Sequence, residues 1–245
     1  MKEMKIKVFI AILSVLILGV GCSKNNPPPY NEMNGRSTAI FNPDKKYGNV
    51  SDIDGNVYKT IKIGDQTWMA ENLRVTRFRN GDAIINITDN DMWSIQEVAA
   101  YCNYNNTEDL DTIATYGRLY NWYAAGDSRN IAPKGWRVAT PEDWNILIDH
   151  LGGDALAGGK LKEAGDEHWE SPNEADNSSG FTGQPGGWRH IDKGMQAFSR
   201  YGVWWTNGQA GQESAAYIQL FTWSTKTYPG FHFIVNGFSI RCIKD

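Results

Sequence analysis

Aromatic residues are the side chains of this sequence best suited to bind a ligand. Six of them stand close together in the C-terminal half: Trp169, Trp188, Trp204, Trp205, Trp223 and Tyr228. An aromatic ring packs against the apolar face of a sugar, while amides hydrogen-bond its hydroxyls. The ligand-binding residues that we predict are Trp169, Trp188, Trp205, Tyr228, Asn177 and Asn207. The alternative is that most of these tryptophans form core, and strand alternation sends Trp204 and Trp205 to opposite faces.

Acidic residues and histidines are present, but their spacing matches no catalytic or metal-binding motif. The segment 166–177 is rich in acidic residues and asparagines, whose oxygens could bind calcium. A segment of this composition is more often a solvated acidic loop. The four histidines are scattered, and no nucleophile-elbow, phosphate-binding or dinucleotide-binding motif is present. We predict no catalytic residue, no metal and no cofactor. A hydrolase that uses a pair of loop carboxylates is the alternative, because the separation of such a pair is set by the fold.

The N-terminal residues have the pattern of a lipoprotein signal peptide. Three lysines fall within the first seven residues, and residues 8–18 are almost entirely apolar. This run is too short to span a bilayer, and it ends in Leu-Gly-Val-Gly directly before Cys22. We expect residues 1–21 to be removed and Cys22 to be lipidated, which would anchor the chain to a membrane of the cell envelope, most simply the outer membrane. A secreted protein with a free Cys22 is the alternative.

Charge argues against nucleic acid as a partner. The formal net charge is −4, and loss of the signal peptide with its three lysines and one glutamate makes it −6. Nucleic-acid binding needs a basic surface. The partners that we expect are the membrane, through the lipid, and a glycan or an envelope protein.

The three cysteines predict one disulfide. If Cys22 carries a lipid, Cys102 and Cys242 remain in an oxidising envelope, and no metal-type spacing competes for them. We expect these two residues to be joined. Two buried thiols are the alternative.

The mature chain divides into a tether and one domain. Residues 22–49 contain Pro-Pro-Pro and little apolar periodicity, so we expect a flexible tether. Residues 50–245 form the domain, which begins with two strands in 52–73 joined by a tight turn. The segment 52–56 contains the residue types of a calcium loop without the EF-hand spacing, and turn formation explains it better.

Helical signals occur in three places, the third being a shorter helix at 155–164 that is weakened by Gly158-Gly159. Aromatic and apolar residues in 115–125 recur at the helical period, which predicts a helix with a buried stripe. Thr140-Pro-Glu-Asp predicts a second helix that is capped at Thr140 and ends at Gly152-Gly153. The composition of 165–187 indicates a long loop, and strands are expected at 202–206, 214–223, 231–235 and 238–243.

Several segments, in order, resemble one known family. They are Asp-Ile-Asp-Gly-Asn-Val-Tyr at 52–58, Tyr-Gly-Arg-Leu-Tyr-Asn-Trp-Tyr at 116–123, Ala-Pro-Lys-Gly-Trp-Arg-Val-Ala-Thr at 132–140 and Gly-Phe-Ser-Ile-Arg-Cys at 237–242. The sequence of these segments resembles that of the Fibrobacter succinogenes major paralogous domain, a domain of envelope lipoproteins. The resemblance implies an α+β, C-type-lectin-like fold with paired terminal strands, two main helices and a long loop region, distantly similar to the formylglycine-generating enzymes.

The resemblance implies a fold but no chemistry. The calcium-dependent sugar motifs of C-type lectins are absent, and so are the paired active-site cysteines of the formylglycine-generating enzymes. The function that we expect is a lipid-anchored envelope module that binds a glycan or a protein, for example in adhesion. The alternatives are a hydrolase and a structural envelope lipoprotein without a soluble ligand.

Overall fold

A computed structural model describes residues 31–245 of the chain. The predicted signal peptide 1–21 and the predicted lipidation site Cys22 lie outside the described residues. The described part is an α+β domain whose strands form several small sheets, with five α-helices packed around them. Within residues 31–245, no helix is long and apolar enough to cross a membrane.

The strands, in chain order, are β1 (Gly48–Ser51), β2 (Val57–Ile63), β3 (Gln66–Met69), β4 (Ile85–Asn86), β5 (Ala100–Cys102), β6 (Leu119–Tyr120), β7 (Trp136–Val138), β8 (Trp188–His190), β9 (Gly194–Gln196), β10 (Tyr201–Gln209), β11 (Ser214–Phe221), β12 (Thr227–Phe233), β13 (Ser239–Ile240) and β14 (Cys242–Lys244). The α-helices are α1 (Asn90–Ile95), α2 (Leu110–Tyr116), α3 (Trp122–Ala125), α4 (Pro141–His150) and α5 (Asp154–Leu161).

The largest sheet joins the two ends of the domain. Its order is β1-β2-β3-β14-β7, with antiparallel neighbours. The C-terminal strand β14 lies between β3 and β7, where Ile243 faces Trp68 and Cys242 faces Val138. Early and late segments of the chain are therefore paired, as the family resemblance implies.

The opening turn forms because one carboxylate satisfies several donors. Asp52 accepts hydrogen bonds from the backbone N–H of Asp54 at 2.9 Å and of Asn56 at 3.0 Å, and from the hydroxyl of Tyr58 at 2.5 Å. These contacts are those of an Asx-type turn. Turn formation, rather than calcium binding, thus explains the acids at the start of the domain.

A second sheet has four strands in the order β12-β11-β10-β13. Its strands are antiparallel except β13, which is parallel to β10. Trp205 of β10 lies opposite Tyr217 of β11, which in turn lies opposite Gly230 of β12. The other sheets are small: β4-β5-β6 and the hairpin β8-β9.

Helix α4 begins as the sequence predicted. Thr140 Oγ1 accepts a hydrogen bond from the Asp143 backbone, and Asp143 Oδ2 accepts one from the Thr140 backbone at 2.7 Å, which is a complete capping box. Such a cap stabilises a helix by about 1 kcal/mol. The buried face of α4 sets Trp144 against Trp68, with ring centroids 5.0 Å apart, and against Trp204 at 6.1 Å.

The single helix predicted for 115–125 is wrong. Helix α2 ends at Tyr116, β6 follows, and α3 starts only at Trp122. Gly117 separates them, because it has a φ of 75° and a Cβ there would lie 2.6 Å from the Asn72 side chain. A glycine that must leave helical geometry at a close backbone approach overrides the helical spacing.

The tether expected for 22–49 is wrong from residue 31 onward. Asn31 donates to Asn56 Oδ1 at 2.8 Å, Thr38 Oγ1 lies 2.9 Å from His168 Nε2, and the Ile40 N–H donates to Glu163. His168 Nδ1 in turn lies 2.7 Å from Glu163 Oε2. These hydrogen bonds hold the segment on the domain together with Phe41 and Tyr47, which pack, partly buried, against the core.

The disulfide predicted between Cys102 and Cys242 is absent, and both residues are free, buried thiols. Cys102 lies on β5 in a small cluster with Trp93, whereas Cys242 lies on β14 in the main core. Counting cysteines could not show that the two strands belong to different sheets. Burial raises the pKa of Cys102 to about 11 and raises that of Cys242 as well.

Candidate ligand-binding site

Three of the six predicted ligand-binding residues are core residues. Trp169 and Trp205 are fully buried, and their indole N–H groups donate to the backbone oxygens of Gly183 at 3.0 Å and Tyr120 at 2.8 Å. Asn177 is buried too, and its amide bonds both the hydroxyl and the N–H of Thr182. Their polar groups are satisfied inside the protein, so these three predictions are wrong.

The other three predicted residues reach the surface, but not all at one place. Trp188 and Tyr228 are half-buried and lie beside the same face of the four-stranded sheet. Asn207 is exposed near the other end of β10, where its backbone N–H donates to Ala139. The structure therefore places two of the six beside one face of the sheet and leaves Asn207 apart.

The face that carries Tyr228 is unusually rich in aromatic rings, and we call it the aromatic face. The register of the sheet places on it the side chains of Tyr201, Val203 and Trp205 from β10, Tyr217, Gln219 and Phe221 from β11, and Tyr228 and His232 from β12. Alternation along a strand explains the set, because every second residue points the same way. Trp204 and Ile218 point to the opposite side, into the core against α4.

A cavity of about 230 Å³ opens on the aromatic face. Its lining residues are Trp188, Tyr201, Val203, Tyr217, Gln219, Phe221, His232 and Phe238. Six of these eight are aromatic, and none is Lys, Arg, Asp or Glu. The cavity is thus apolar in its walls and free of formal charge, apart from the charge that His232 gains when it is protonated.

The cavity has a rigid floor. The rings of Trp205 and Phe238 lie 4.1 Å apart, and both residues are buried. Phe238 also meets Tyr217 edge-on at 5.4 Å and Trp188 at 5.7 Å. The walls therefore rest on a packed layer, which holds the half-exposed rings in place without a ligand.

Tyr217 can lie flat in this site because its cross-strand neighbour is a glycine. A Cβ on Gly230 would approach Cζ and the hydroxyl oxygen of Tyr217 to 2.9 Å, so any larger residue would push the ring away. Gly230 thus leaves room on β12 for the tip of the Tyr217 ring. Burial raises the pKa of Tyr217, and its hydroxyl stays protonated at neutral pH.

Polar groups without partners converge on the cavity. Within residues 31–245, neither the Gln219 amide nor the Tyr217 hydroxyl has a hydrogen-bonding partner, although both residues are half-buried. Both polar groups are accessible to water, which satisfies them until a ligand takes its place. Gln219 offers both donors and an acceptor, which is the combination that sugar hydroxyls require.

His232 presents a donor to the same site. Its Nδ1 accepts hydrogen bonds from the Phe233 N–H at 3.0 Å and from the Asn236 amide. Because both neighbours donate, neutral His232 carries its proton on Nε2. Burial lowers the pKa of His232, and His190, whose ring lies 6.1 Å away, lowers it further. At neutral pH this side of the cavity therefore offers an uncharged N–H group.

The long loop after α5 is packed core at its centre and acidic at its surface. His168, Trp169, Phe181 and Thr182 are buried, whereas Asp166, Glu167, Glu170, Glu174 and Asp176 are exposed. Asp166 accepts the Asn173 N–H, and Glu170 faces Arg200 at 3.5 Å. Among residues 31–245, no group of three or more His, Cys, Asp or Glu side chains is placed to hold a metal ion.

Sequence reasoning missed most of the residues that build the cavity. Tyr201, Tyr217, Gln219, Phe221 and His232 were not predicted as ligand-binding residues. Alternation within 214–223 was a usable signal, because it places Tyr217, Gln219 and Phe221 on one side of a strand. The register between β10, β11 and β12, which brings their side chains together, is not readable from the sequence.

Residues 31–245 form an α+β domain with an open, aromatic cavity whose lining contains no Lys, Arg, Asp or Glu. The Fibrobacter succinogenes major domain matches residues 61–244, and the chain belongs to that family. No curated protein and no solved structure gives a match.

Proposed function

We propose that this protein is a non-enzymatic binding module of the cell envelope that binds carbohydrate on the aromatic face. One observation carries the proposal: half-buried aromatic rings line an open cavity without Lys, Arg, Asp or Glu. The Tyr217 hydroxyl and the Gln219 amide, whose residues also line it, have no hydrogen-bonding partner among residues 31–245. The C–H face of a sugar suits such rings, and its hydroxyls suit the amide.

The energetics favour weak, reversible binding. The cavity is shallow and open, so a sugar would keep much of its surface in water. The rings are already held by the layer of Trp205 and Phe238, so little ordering is lost on binding. Affinity then rises mainly when several sites or several sugar units engage together.

The proposal includes the membrane anchor and a finer statement of the fold. Signal peptidase would remove residues 1–21, and a lipid on Cys22 would hold the protein in the outer membrane, as the pattern of charged, apolar and small residues supports. The C-type-lectin-like fold remains part of the proposal, and the pairing of β14 with β3 supports it. Membrane retention should be lost in Cys22→Ala; unchanged retention with normal cleavage would refute the anchor.

Glycan binding is tested with the detergent-solubilised full-length protein on a broad glycan array, followed by titration calorimetry of the hits. Gln219→Ala and Tyr217→Phe remove polar groups with little change in packing, and each should weaken binding at least tenfold. Phe231→Ala is the matched control, because Phe231 lies on the same sheet with its ring on the other face. An array without hits, or variants that bind as the wild type does, would refute the proposal and favour a protein partner.

A further inference from the structure

The aromatic face continues beyond the cavity. Phe221 lines the cavity and stacks on Trp223, with an angle of 7° between the rings and 5.3 Å between their centroids. Tyr201, also a lining residue, meets both rings edge-on, at 4.8 and 5.7 Å. The outer ring of this platform, Trp223, is 53% exposed.

Trp223 is exposed although the turn that carries it is held by contacts with its neighbours. Tyr228 packs on Phe221 from the neighbouring strand at 4.4 Å, and its hydroxyl lies 3.1 Å from Ser224 Oγ. Tyr228 therefore holds the turn between β11 and β12 through contacts with Phe221 and with Ser224. A large indole that is held in place and yet half-exposed beside a cavity is typical of a contact surface for a ligand.

The shape and charge of this surface restrict the ligand. Rings arranged along one face of a sheet contact a chain of sugars only if each unit presents a flat, apolar side. A β-1,4-linked gluco-configured chain does so, because its hydroxyls and linkages are equatorial and C–H groups cover both ring faces. The lining contains no Lys or Arg to pair with a uronate, sulfate or phosphate.

We infer that the site has two subsites and takes a neutral β-1,4-linked glucose oligomer, with one unit in the cavity and the next against Trp223. This inference rests on the proposed function, since it specifies the sugar bound at the same face. Tyr201 and Phe221 form the boundary between the subsites, because both contact the cavity and both contact Trp223.

The test uses β-1,4-linked glucose oligomers of one, two and four units, titrated against the full-length protein in detergent. For the wild type we expect at least a tenfold gain in affinity from one unit to two. In Trp223→Ala the ratio of the affinities for two units and for one unit should fall to about one. Trp223→Tyr, which keeps a ring, should restore part of the gain, and Phe231→Ala should behave as the wild type.

The outcomes separate the two proposals. Array hits restricted to other glycans, equal affinity for all oligomer lengths, or an unchanged gain in Trp223→Ala would overturn the two-subsite inference and leave carbohydrate binding in place. The 6-oxidised oligomer, whose units carry carboxylates, should bind at least tenfold more weakly; equal or tighter binding would overturn the neutral specificity. Absence of any glycan binding would refute the proposed function itself.

Discussion

Asn72 and Arg241, separated by 169 positions in sequence, are joined by a hydrogen bond of 2.6 Å from Arg241 Nε to Asn72 Oδ1. The same oxygen accepts the indole N–H of Trp204 at 2.8 Å. Among residues 31–245, Arg241 has no carboxylate partner at hydrogen-bond distance, and it donates instead to the backbone oxygens of Met69, Phe181 and Thr182. The buried Arg241 side chain therefore links three segments by hydrogen bonds: the end of the opening hairpin, the long loop and the start of the C-terminal strand.

Loss of the Asn72 side chain should strongly destabilise the domain. In Asn72→Ala, Arg241 Nε and Trp204 Nε1 would remain buried without this acceptor, and an unsatisfied buried donor costs about 1–3 kcal/mol, more if it is charged. We expect the free energy of unfolding, measured by denaturant titration, to fall by at least about 3 kcal/mol. Asn207→Ala, at an exposed position, is the control; a loss below about 1 kcal/mol in Asn72→Ala would contradict this account.

Trp169 and Trp205 should behave as core residues and Trp223 as a surface residue. Trp169→Ala and Trp205→Ala each create a cavity in a packed layer, and we expect losses of about 3–5 kcal/mol in unfolding free energy. Trp223→Ala should change stability by less than about 1 kcal/mol, because its ring is half-exposed. Equal losses in all three variants would show that the packing described for Trp223 is incorrect.

Lys162 should make stability depend on alkaline pH. Its buried ammonium donates to the backbone oxygens of Phe221 at 2.9 Å and Thr222 at 2.7 Å, and burial lowers its pKa to about 8. The unfolded chain, with a lysine pKa near 10.4, holds the proton to higher pH, so stability rises as pH increases from about 8 to about 10.4.

The measurement is the unfolding free energy of the wild type minus that of Lys162→Met across this range. We expect the difference to grow in favour of the wild type, by at most about 3 kcal/mol. Subtraction removes the contribution of the buried tyrosines, which titrate in both proteins. A difference that does not change with pH would mean that Lys162 keeps an ordinary pKa.

The thiols of Cys102 and Cys242 should be unreactive in the native protein. Only the thiolate reacts, and burial raises the pKa of both groups while it blocks access. We expect an aromatic disulfide reagent at pH 8 to label neither residue until denaturant is added, when both react. Peptide mapping by mass spectrometry under non-reducing conditions is the second measurement, and a linked pair of Cys102 and Cys242 peptides would contradict the structure.

Local chemistry along the chain determined a good part of the fold. We could predict the capping box of α4 and the tight turn before β3, because caps and turns depend on neighbouring residues. The position of the C-terminal strand followed from the order of the segments that resemble the family. The helix predicted across Gly117 failed because contact with Asn72, distant in sequence, decides that glycine's conformation.

The site was decided by tertiary structure. The sequence showed that the C-terminal half is rich in aromatic residues, and two of the predicted ligand-binding residues, Trp188 and Tyr228, lie beside the aromatic face. It could not show that Trp169 and Trp205 find backbone acceptors inside the core, nor that Cys102 and Cys242 lie in different sheets. Burial depends on which strands pair and in what register, and only the folded sheet brings Tyr201, Tyr217 and Gln219 around one cavity.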